Sequence, residues 1–297
     1  MNIVFVLDTS ESMNYGSPKK IDQALSTVFR IFKELSPENY ATIIVFESIA
    51  EAILPPTPIK DVDLEKIRSE MITRGVTCLS AGIKKGLDML NEGDTFVLLT
   101  DARPNLSLDR SGGFEGSIKL EYEAVNLLGE RSIRFNFYAI AVGEDAFTYT
   151  LKKMAERVNG SFSLVEDFRG LNEKPKESIV KEEYENLTVS GIPAELPTAQ
   201  PTWTKESQVL HVAIVSNDIY EEYKVSRKAI LINPANGREA RVALLPISSE
   251  LLEDYRKRRS KIVKLVENNE RILLDKTYRD FLNTEATGKK VKLLILK

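Results

Sequence analysis

The chain has 297 residues, enough for one large or two ordinary domains, and its 42% hydrophobic and 29% charged residues are typical of a soluble globular protein. A formal net charge of −3 argues against nucleic acid as a partner. The single cysteine, Cys78, rules out an intrachain disulfide and favours a cytoplasmic location. No apolar run approaches a membrane span, and the N-terminus lacks the basic start of a signal peptide.

The first half of the chain alternates predicted strands and helices. Short apolar runs indicate strands covered on both faces, and apolar residues recur at helical spacing between them. This alternation predicts an α/β domain over residues 1–182, a doubly wound, mainly parallel sheet with helices on both faces. The predicted strands are 3–7, 41–46, 52–59 (an edge strand, because it holds three prolines), 95–100, 135–142 and 161–165, and the predicted helices are 21–35, 63–71, 79–90, 118–128, 147–158 and 171–183.

The character of the sequence changes near Glu185, ahead of a segment rich in Pro and Thr at 192–203. Runs that favour strands follow, with Pro234-Ala235-Asn236-Gly237 as a hairpin turn between two of them. We therefore predict that residues 183–297 form a smaller β-rich domain, a sandwich or a small barrel, carrying a long charged helix near 249–269. The predicted strands of this domain are 209–215, 224–232, 238–245, 272–274 and 291–296.

Three separated pieces of the first domain carry oxygen ligands. Asp8, Ser10 and Ser12 follow the first predicted strand, Thr77 precedes a helix, and Asp101 follows the strand at 95–100. In a parallel sheet such positions converge at the carboxyl ends of the strands, where ligands bind. Carboxylate and hydroxyl oxygens suit a hard cation, Mg²⁺ first, with Mn²⁺ or Ca²⁺ as alternatives. Because only the two aspartates carry charge, the ion stays electrophilic towards an acidic ligand from another molecule.

This pattern resembles the metal-ion-dependent adhesion site of the von Willebrand factor type A domains, the family that includes the integrin I domains. The family motif reads Asp-x-Ser-x-Ser, then Thr in Gly-x-Thr-x-Leu, then Asp in Thr-Asp-Gly. The chain matches it at Asp8, Ser10, Ser12, Thr77 and Asp101. The resemblance covers residues 1–182 and implies a Rossmann-like fold, a metal held directly or through water by these five residues, and a role in binding proteins.

Two further expectations depend on this resemblance. Cytoplasmic relatives in the family often work beside AAA+ ATPases of the MoxR or chelatase type, which suggests that class of partner. Ala102 departs from the pattern, because the family has glycine after the second aspartate. The departure is compatible with the site if the backbone φ angle at Ala102 is negative.

Several other residues have both a functional and a plainer interpretation. Tyr15, Arg74 and Arg103 are candidate partner contacts, although Tyr15 suits a packed loop equally well and solvated loop arginines are common. Cys78 suits a small buried residue better than a reactive thiol, and His211, the one histidine, suits a core or surface position. The basic run 256–259 suits an ion-paired helix better than a nucleic-acid patch. The long loop 103–116 is expected beside the metal, where it could help select the partner.

We therefore expect a divalent-metal-dependent protein-binding module, in which the metal accepts an Asp or Glu carboxylate from a partner. The alternative is a metal-dependent hydrolase that uses the same cluster. An enzyme needs a general base near the metal. Glu11 is the one spare carboxylate of the motif, and the first domain holds no histidine, so we expect no enzymatic activity.

Overall fold

The computed structural model of the chain describes residues 1–113, 117–130, 132–176, 178–192, 211–284 and 288–297. It divides into two compact units, Met1–Glu177 and Ser178–Lys297, so the first unit ends at residue 177 where the sequence pattern suggested 182. Each unit is built on its own β-sheet. Within the described residues, every helix is too short or too polar to cross a membrane.

The first unit contains a six-stranded sheet. Its strands are β1 (Asn2–Asp8), β2 (Tyr40–Phe46), β3 (Ala50–Pro58), β4 (Thr95–Thr100), β5 (Asn136–Ala141) and β6 (Ser161–Leu164). They lie in the order β3-β2-β1-β4-β5-β6, and all run parallel except β3, which is antiparallel to β2 at one edge. The edge position suits β3 because its prolines at 55, 56 and 58 cannot donate ladder hydrogen bonds.

Helices cover both faces of this sheet. They are α1 (Lys20–Glu34), α2 (Leu64–Glu70), α3 (Leu79–Asp88), α4 (Ile118–Gly129) and α5 (Thr148–Arg157). Alternate side chains of β1 reach opposite faces: Phe5 packs edge-on against Phe32 of α1, with ring centroids 5.3 Å apart, whereas Val6 lies against Gly86 of α3. The predicted doubly wound α/β fold is therefore confirmed.

The predicted helix at 171–183 is wrong. Residues Val180–Gly191 form β7, a strand of the second unit, which pairs with strands on both sides. The lysines and glutamates of this segment suit a helix by propensity alone. Cross-strand partners decide the outcome instead, and Glu183 of β7 forms an ion pair with Lys292 of the neighbouring strand.

The second unit is β-rich, as predicted, but its strands form one mixed, open sheet rather than a sandwich or a barrel. Its other strands are β8 (Val212–Val215), β9 (Ala229–Ile232), β10 (Glu239–Arg241), β11 (Ala243–Pro246), β12 (Arg271–Leu274) and β13 (Lys290–Leu296). The order is β10-β9-β13-β7-β12-β8-β11. β9 and β10 are antiparallel and joined by the predicted hairpin turn. Residues 193–210, with most of the Pro- and Thr-rich segment, lie outside the described residues.

The helices of the second unit differ from the prediction in two places, around residue 224 and at 249–269. They are α6 (Asn217–Ser226), α7 (Glu253–Arg258), α8 (Ser260–Glu267) and α9 (Lys276–Leu282). The side chain of Ser216 caps α6, and this helix continues to Ser226. The strand predicted from residue 224 therefore begins only at Ala229. The long helix predicted at 249–269 is broken at Arg259, whose φ and ψ angles of −124° and 40° are not helical. The break directs Val263 and Val266 of α8 into the core.

Candidate metal centre

The predicted ligands that follow β1 lie together in one turn. Asp8 is the last residue of β1, and a 3₁₀ turn, Glu11–Asn14, begins directly after Ser10. The Ser10 backbone N–H donates to Asp8 Oδ1 at 2.9 Å, and the hydroxyl oxygens of Ser10 and Ser12 are 3.1 Å apart. All three side chains are buried. The turn therefore gathers one carboxylate and two hydroxyls at the carboxyl end of a central strand.

The second predicted carboxylate lies at the end of the neighbouring strand. β4 is parallel to β1, so Asp101, the residue after β4, is at the same edge of the sheet as Asp8. The Thr100 hydroxyl donates to Asp8 Oδ2 and links the two strand ends. Burial first, and then the negative charge of Asp101, raise the pKa of Asp8 to about 7. The two buried carboxylates repel each other, so a cation bound between them would be stabilised.

The loop that carries Thr77 is fastened to both of the other pieces. The backbone N–H of Arg74 donates to the Thr9 carbonyl at 2.9 Å, and that of Glu11 donates to the Gly75 carbonyl at 3.2 Å. On the other side, the Thr77 N–H donates to Asn105 Oδ1 at 2.8 Å, while the Asn105 N–H donates to the Thr77 carbonyl at 3.0 Å. The three segments predicted to supply ligands thus meet at one edge of the sheet.

A buried cluster of charges lies behind Asp101. Lys20 Nζ is 2.8 Å from Asp101 Oδ2 and 2.5 Å from Asp145 Oδ1. Arg103 Nη1 donates to Asp145 Oδ2 at 3.0 Å, and its guanidinium lies 4.8 Å from the centre of the Phe147 ring. These four charged side chains are at most 1% exposed. Together with Asp8, these side chains comprise three carboxylates and two cations, a formal excess of one negative charge.

Lys20 is held in its charged form by this cluster. It is the first residue of α1, where the helix dipole disfavours a cation. Burial alone would lower the pKa of Lys20, but Asp101 and Asp145 offset the burial and raise the pKa above its usual value. Gly143, after β5, makes room for the lysine, because a Cβ atom there would lie 2.5 Å from Lys20 Cε. The φ angle of +93° at Gly143 also favours glycine.

Sequence reasoning missed Lys20, Asp145 and Asn105. Two of them carried a usable signal. Lys20 stands four residues before Ala24 and so falls on the buried stripe of α1, where a lysine is out of place. Asp145 lies in the loop after β5, four residues beyond the strand, so the rule that ligands gather at strand ends pointed to its loop. Asn105 carried no signal in the sequence.

The residues present fit a divalent cation. Asp101 Oδ1 is buried and has no hydrogen-bond partner among the described residues, although nearly all buried polar atoms in proteins are paired. The surrounding donors are oxygens of carboxylates and hydroxyls, which hard cations prefer. Within the described residues, no three His, Cys, Asp or Glu side chains are placed so that they could together hold a metal ion, so the hydroxyls are needed to complete a ligand set.

Ala102 does not have the negative φ angle on which its compatibility with the site depended. Its φ angle is +55°, in the left-handed region, so the backbone here does have the conformation for which glycine is suited. The strain is local, and the Ala102 N–H still donates to the Thr100 hydroxyl at 2.9 Å. A side chain at this position is therefore tolerated at an energetic cost, while the strand ends remain linked.

The predicted partner contacts divide into two groups. Arg74 is exposed beside the Thr77 loop and Tyr15 is half-buried after the Ser12 turn, so both remain candidates. Arg103 is corrected, because it is buried against Asp145 and Phe147 and is available neither to a partner nor to solvent. Its position two residues after Asp101 suggested that Arg103 lies on the rim. Ala102, between them, has a positive φ angle, and the Arg103 side chain packs inside the unit.

The remaining candidates take their plainer roles. Cys78 is buried, and burial raises the pKa of its thiol, which disfavours the reactive thiolate. His211 contacts the Asp275 carboxylate in the second unit. In the basic run, Arg256 donates to the Ile247 carbonyl at 3.1 Å and Lys257 forms an ion pair with Glu253 at 2.7 Å.

The family model for the von Willebrand factor type A domain matches residues 3–103, the stretch that carries all five predicted ligands. The chain contains a von Willebrand factor type A domain. Domains of this type generally mediate protein–protein interactions and are often metal-dependent.

The relatives of this type A domain are distant and much longer. Inter-alpha-trypsin inhibitor heavy chain H3 from Bos taurus is 21% identical over 211 residues, which cover 66% of this chain and 22% of that protein. The Homo sapiens H3 chain is 23% identical over 174 residues, which cover 54% of this chain and 18% of that protein. The chain thus spans about a fifth of the length of the curated relatives it matches.

Solved structures with a similar fold include the PilB minor pilin from Streptococcus sanguinis, with 14% identity, a TM-score of 0.46, and coverage of 55% of this chain and 56% of that one. Another is a von Willebrand factor type A protein from Catenulispora acidiphila, with 14% identity, a TM-score of 0.42, and coverage of 57% and 39%.

Proposed function

We propose that the chain is a divalent-metal-dependent protein-binding module. Asp8, Ser10, Ser12, Thr77 and Asp101 hold Mg²⁺, or Mn²⁺ or Ca²⁺ in its place, and a partner protein supplies an Asp or Glu carboxylate to the same site. The observation that carries the proposal is the buried, unpartnered Oδ1 atom of Asp101 at the edge where the other ligands meet.

The charges at this edge favour an acidic partner. Three carboxylates and two buried cations leave a formal charge of −1, which attracts a divalent ion. Once such an ion is bound, the same cluster carries +1, so its electrostatic preference changes to an anion. The bound ion supplies Lewis acidity, and the protein residues hold its position. Ser10, Ser12 and Thr77 add oxygen donors without adding negative charge.

The partner class is a separate part of the proposal. An AAA+ ATPase of the MoxR or chelatase type is the first class to test, because cytoplasmic relatives in the family often work beside such enzymes. The single cysteine supports a reducing, cytoplasmic site of action. The exposed positions of Arg74 and the half-buried Tyr15 make them candidate contacts around the metal.

The test is metal titration by calorimetry after treatment with EDTA, followed by affinity capture with and without the chelator. Asp101→Asn and Ser12→Ala should each weaken Mg²⁺ binding, the former by at least about 100-fold, the upper range for loss of a supporting residue at a metal site. Glu11→Gln is the matched control, because Glu11 lies in the same turn but is exposed and outside the proposed ligand set. Equal Mg²⁺ affinity in Asp101→Asn and the unaltered chain would overturn the proposal.

The same variants distinguish the alternative, a metal-dependent hydrolase, from the binding module. Glu11 is the one spare carboxylate of the motif and would be the general base of such an enzyme. Turnover of a generic phosphoester that needs Mg²⁺ and is lost in Glu11→Gln would favour the enzyme. Chelator-sensitive capture that survives Glu11→Gln, without turnover, would favour the binding module.

A further inference from the structure

A pocket of about 240 Å³ opens beside the Thr77 loop. Its walls come from the turn between β2 and β3, from the exposed face of α3, and from the loop after Asp101. Cys78, the residue directly after Thr77, forms part of its lining. The pocket lining therefore includes the neighbour in sequence of a proposed metal ligand, and the Cα atoms of the two residues are about 3.8 Å apart.

The rim of this pocket is aliphatic. Ile49 is 49% exposed and Leu108 is 38% exposed, and both line the pocket. Val76, which precedes Thr77, is 42% exposed on the same loop as the proposed ligand. Large aliphatic side chains left in water near a binding site commonly mark an interaction surface. The surface around the metal edge thus offers apolar contact area as well as charge.

The pocket is also basic. Lys84 and Lys85 lie on the outer face of α3, and Arg110 lies on the loop after Asp101. Asp88, one turn after Lys84, is the single acidic side chain of the lining. Within the described residues, none of the three cations forms an ion pair. Counted over the lining residues alone, the excess of two positive charges is complementary to an acidic ligand.

The loop that completes the pocket is fixed to the metal edge. Asn105 holds the Thr77 backbone through two hydrogen bonds, as described above. Further along, the Leu108 N–H donates to Glu123 Oε1 at 2.9 Å, and the Ser111 N–H donates to Asp109 Oδ1 at 2.8 Å. Arg110 takes a left-handed φ of +61° in this turn. The pocket and the proposed metal ligand therefore belong to one connected structure.

We propose that the pocket binds an aliphatic side chain of the same partner segment that supplies the carboxylate, and that Lys84, Lys85 and Arg110 contact a second acidic residue of that segment. This inference rests on the proposed function. The occupant is thus an acidic, extended peptide segment with one buried aliphatic residue. The volume suits one side chain, because pockets for drug-sized ligands and cofactors are usually about 300–1,000 Å³. An extended chain advances about 3.3 Å per residue, so four residues span about 13 Å, and we expect the aliphatic residue within that span of the carboxylate.

The test selects random heptapeptides on phage against the full chain in Mg²⁺ and elutes them with EDTA. Enriched sequences should contain an aliphatic residue within about four positions of one Asp or Glu, together with a second acidic residue. For the best synthetic peptide, replacing the aliphatic residue by Ala should weaken binding about tenfold, as expected for losing a buried side chain. The double variant Lys84→Glu, Lys85→Glu should weaken it about threefold to tenfold and remove the preference for the second acid.

The matched control is Lys33→Glu, Lys66→Glu, which changes the net charge equally on exposed lysines of α1 and α2. A second pocket variant, Ala81→Phe, fills the cavity without changing charge. Enrichment of peptides with a lone acid, or equal losses in the pocket and control variants, would overturn the inference while leaving the metal site standing. No chelator-sensitive enrichment at all would overturn both the inference and the proposed function.

Discussion

The edge of the first unit where the proposed metal ligands meet has two sides, which differ in how their charges are arranged. Behind Asp101, the charges of Lys20, Asp145 and Arg103 are buried and paired with one another. On the rim, charged side chains such as Arg74 and Lys84 are exposed, and the ion pair between Arg74 and Glu47 is long, with 3.9 Å between Arg74 Nε and Glu47 Oε1. Buried charges affect the free energy of unfolding strongly when a partner is lost, whereas exposed ones affect it little. We therefore expect stability to depend on the buried side and partner choice on the rim.

The largest expected effect comes from removing the buried lysine. Lys20→Met leaves Asp101 and Asp145 without their shared cation and should lower the free energy of unfolding by about 3–5 kcal/mol, measured by urea denaturation. Lys19→Met is the control, because Lys19 is exposed and its ammonium group donates to Asn14 Oδ1 in an exposed hydrogen bond. Its change should stay within about 0.5 kcal/mol. A similar loss in both variants would show that the buried pairs do not distinguish the two sides.

Metal addition should stabilise the fold by a smaller amount. At a Mg²⁺ concentration about 100 times the dissociation constant, binding to the folded state alone adds about 2.7 kcal/mol. Thermal unfolding with Mg²⁺ and with EDTA measures this difference. Asp101→Asn, with its at least about 100-fold weaker binding, should keep no more than about 0.4 kcal/mol of it. A Mg²⁺-dependent shift of the same size in Asp101→Asn would place the ion elsewhere.

Arg103 and Arg74 allow a direct comparison of the two sides with the same residue type. Arg103→Met should lower the free energy of unfolding by about 2 kcal/mol, because the buried Asp145 carboxylate loses a charged hydrogen bond. Arg74→Met should change it by less than about 0.5 kcal/mol. Chemical denaturation of both variants checks this, and equal values would remove the distinction between the buried side and the rim.

The smallest expected effect is a gain. Ala102→Gly relieves the left-handed backbone, which costs an L-residue about 1–2 kcal/mol, but it adds about 0.5–1 kcal/mol of chain entropy to the unfolded state. The net stabilisation should be about 0.5 kcal/mol by calorimetry. Ala124→Gly, in the buried face of α4, should instead destabilise the protein. A loss of stability in Ala102→Gly would mean that packing of the methyl group outweighs backbone strain.

The first unit followed closely from its sequence because its patterns are local. Buried parallel strands are continuous apolar runs, and the strand-end rule brought Asp8 and Asp101 together. The second unit did not, because its strands depend on distant partners. β7 pairs with β12 and β13, roughly a hundred residues later, and nothing within residues 180–191 distinguishes a charged strand from a charged helix.

At the site, residue types were predictable but side-chain directions were not. Asp8, Ser10, Ser12, Thr77 and Asp101 follow a pattern of type and spacing. Whether Arg103 faces the rim or the interior depends on the φ angle of Ala102, and a sequence does not show that an alanine takes a positive value. Lys20 was missed for the opposite reason, because a lysine at a buried position is disfavoured unless carboxylates from other elements surround it.

The buried lysine has a consequence for how folding depends on metal binding. In small zinc domains the ion itself neutralises and organises its ligands, so the chain without metal is unfolded. Here the ammonium group of Lys20 already compensates part of the negative charge at the strand ends, and it is covalently part of the chain. We therefore expect the domain to fold without a bound ion. Under the proposed function, divalent ions would then switch a binding surface on or off without the domain folding and unfolding each time.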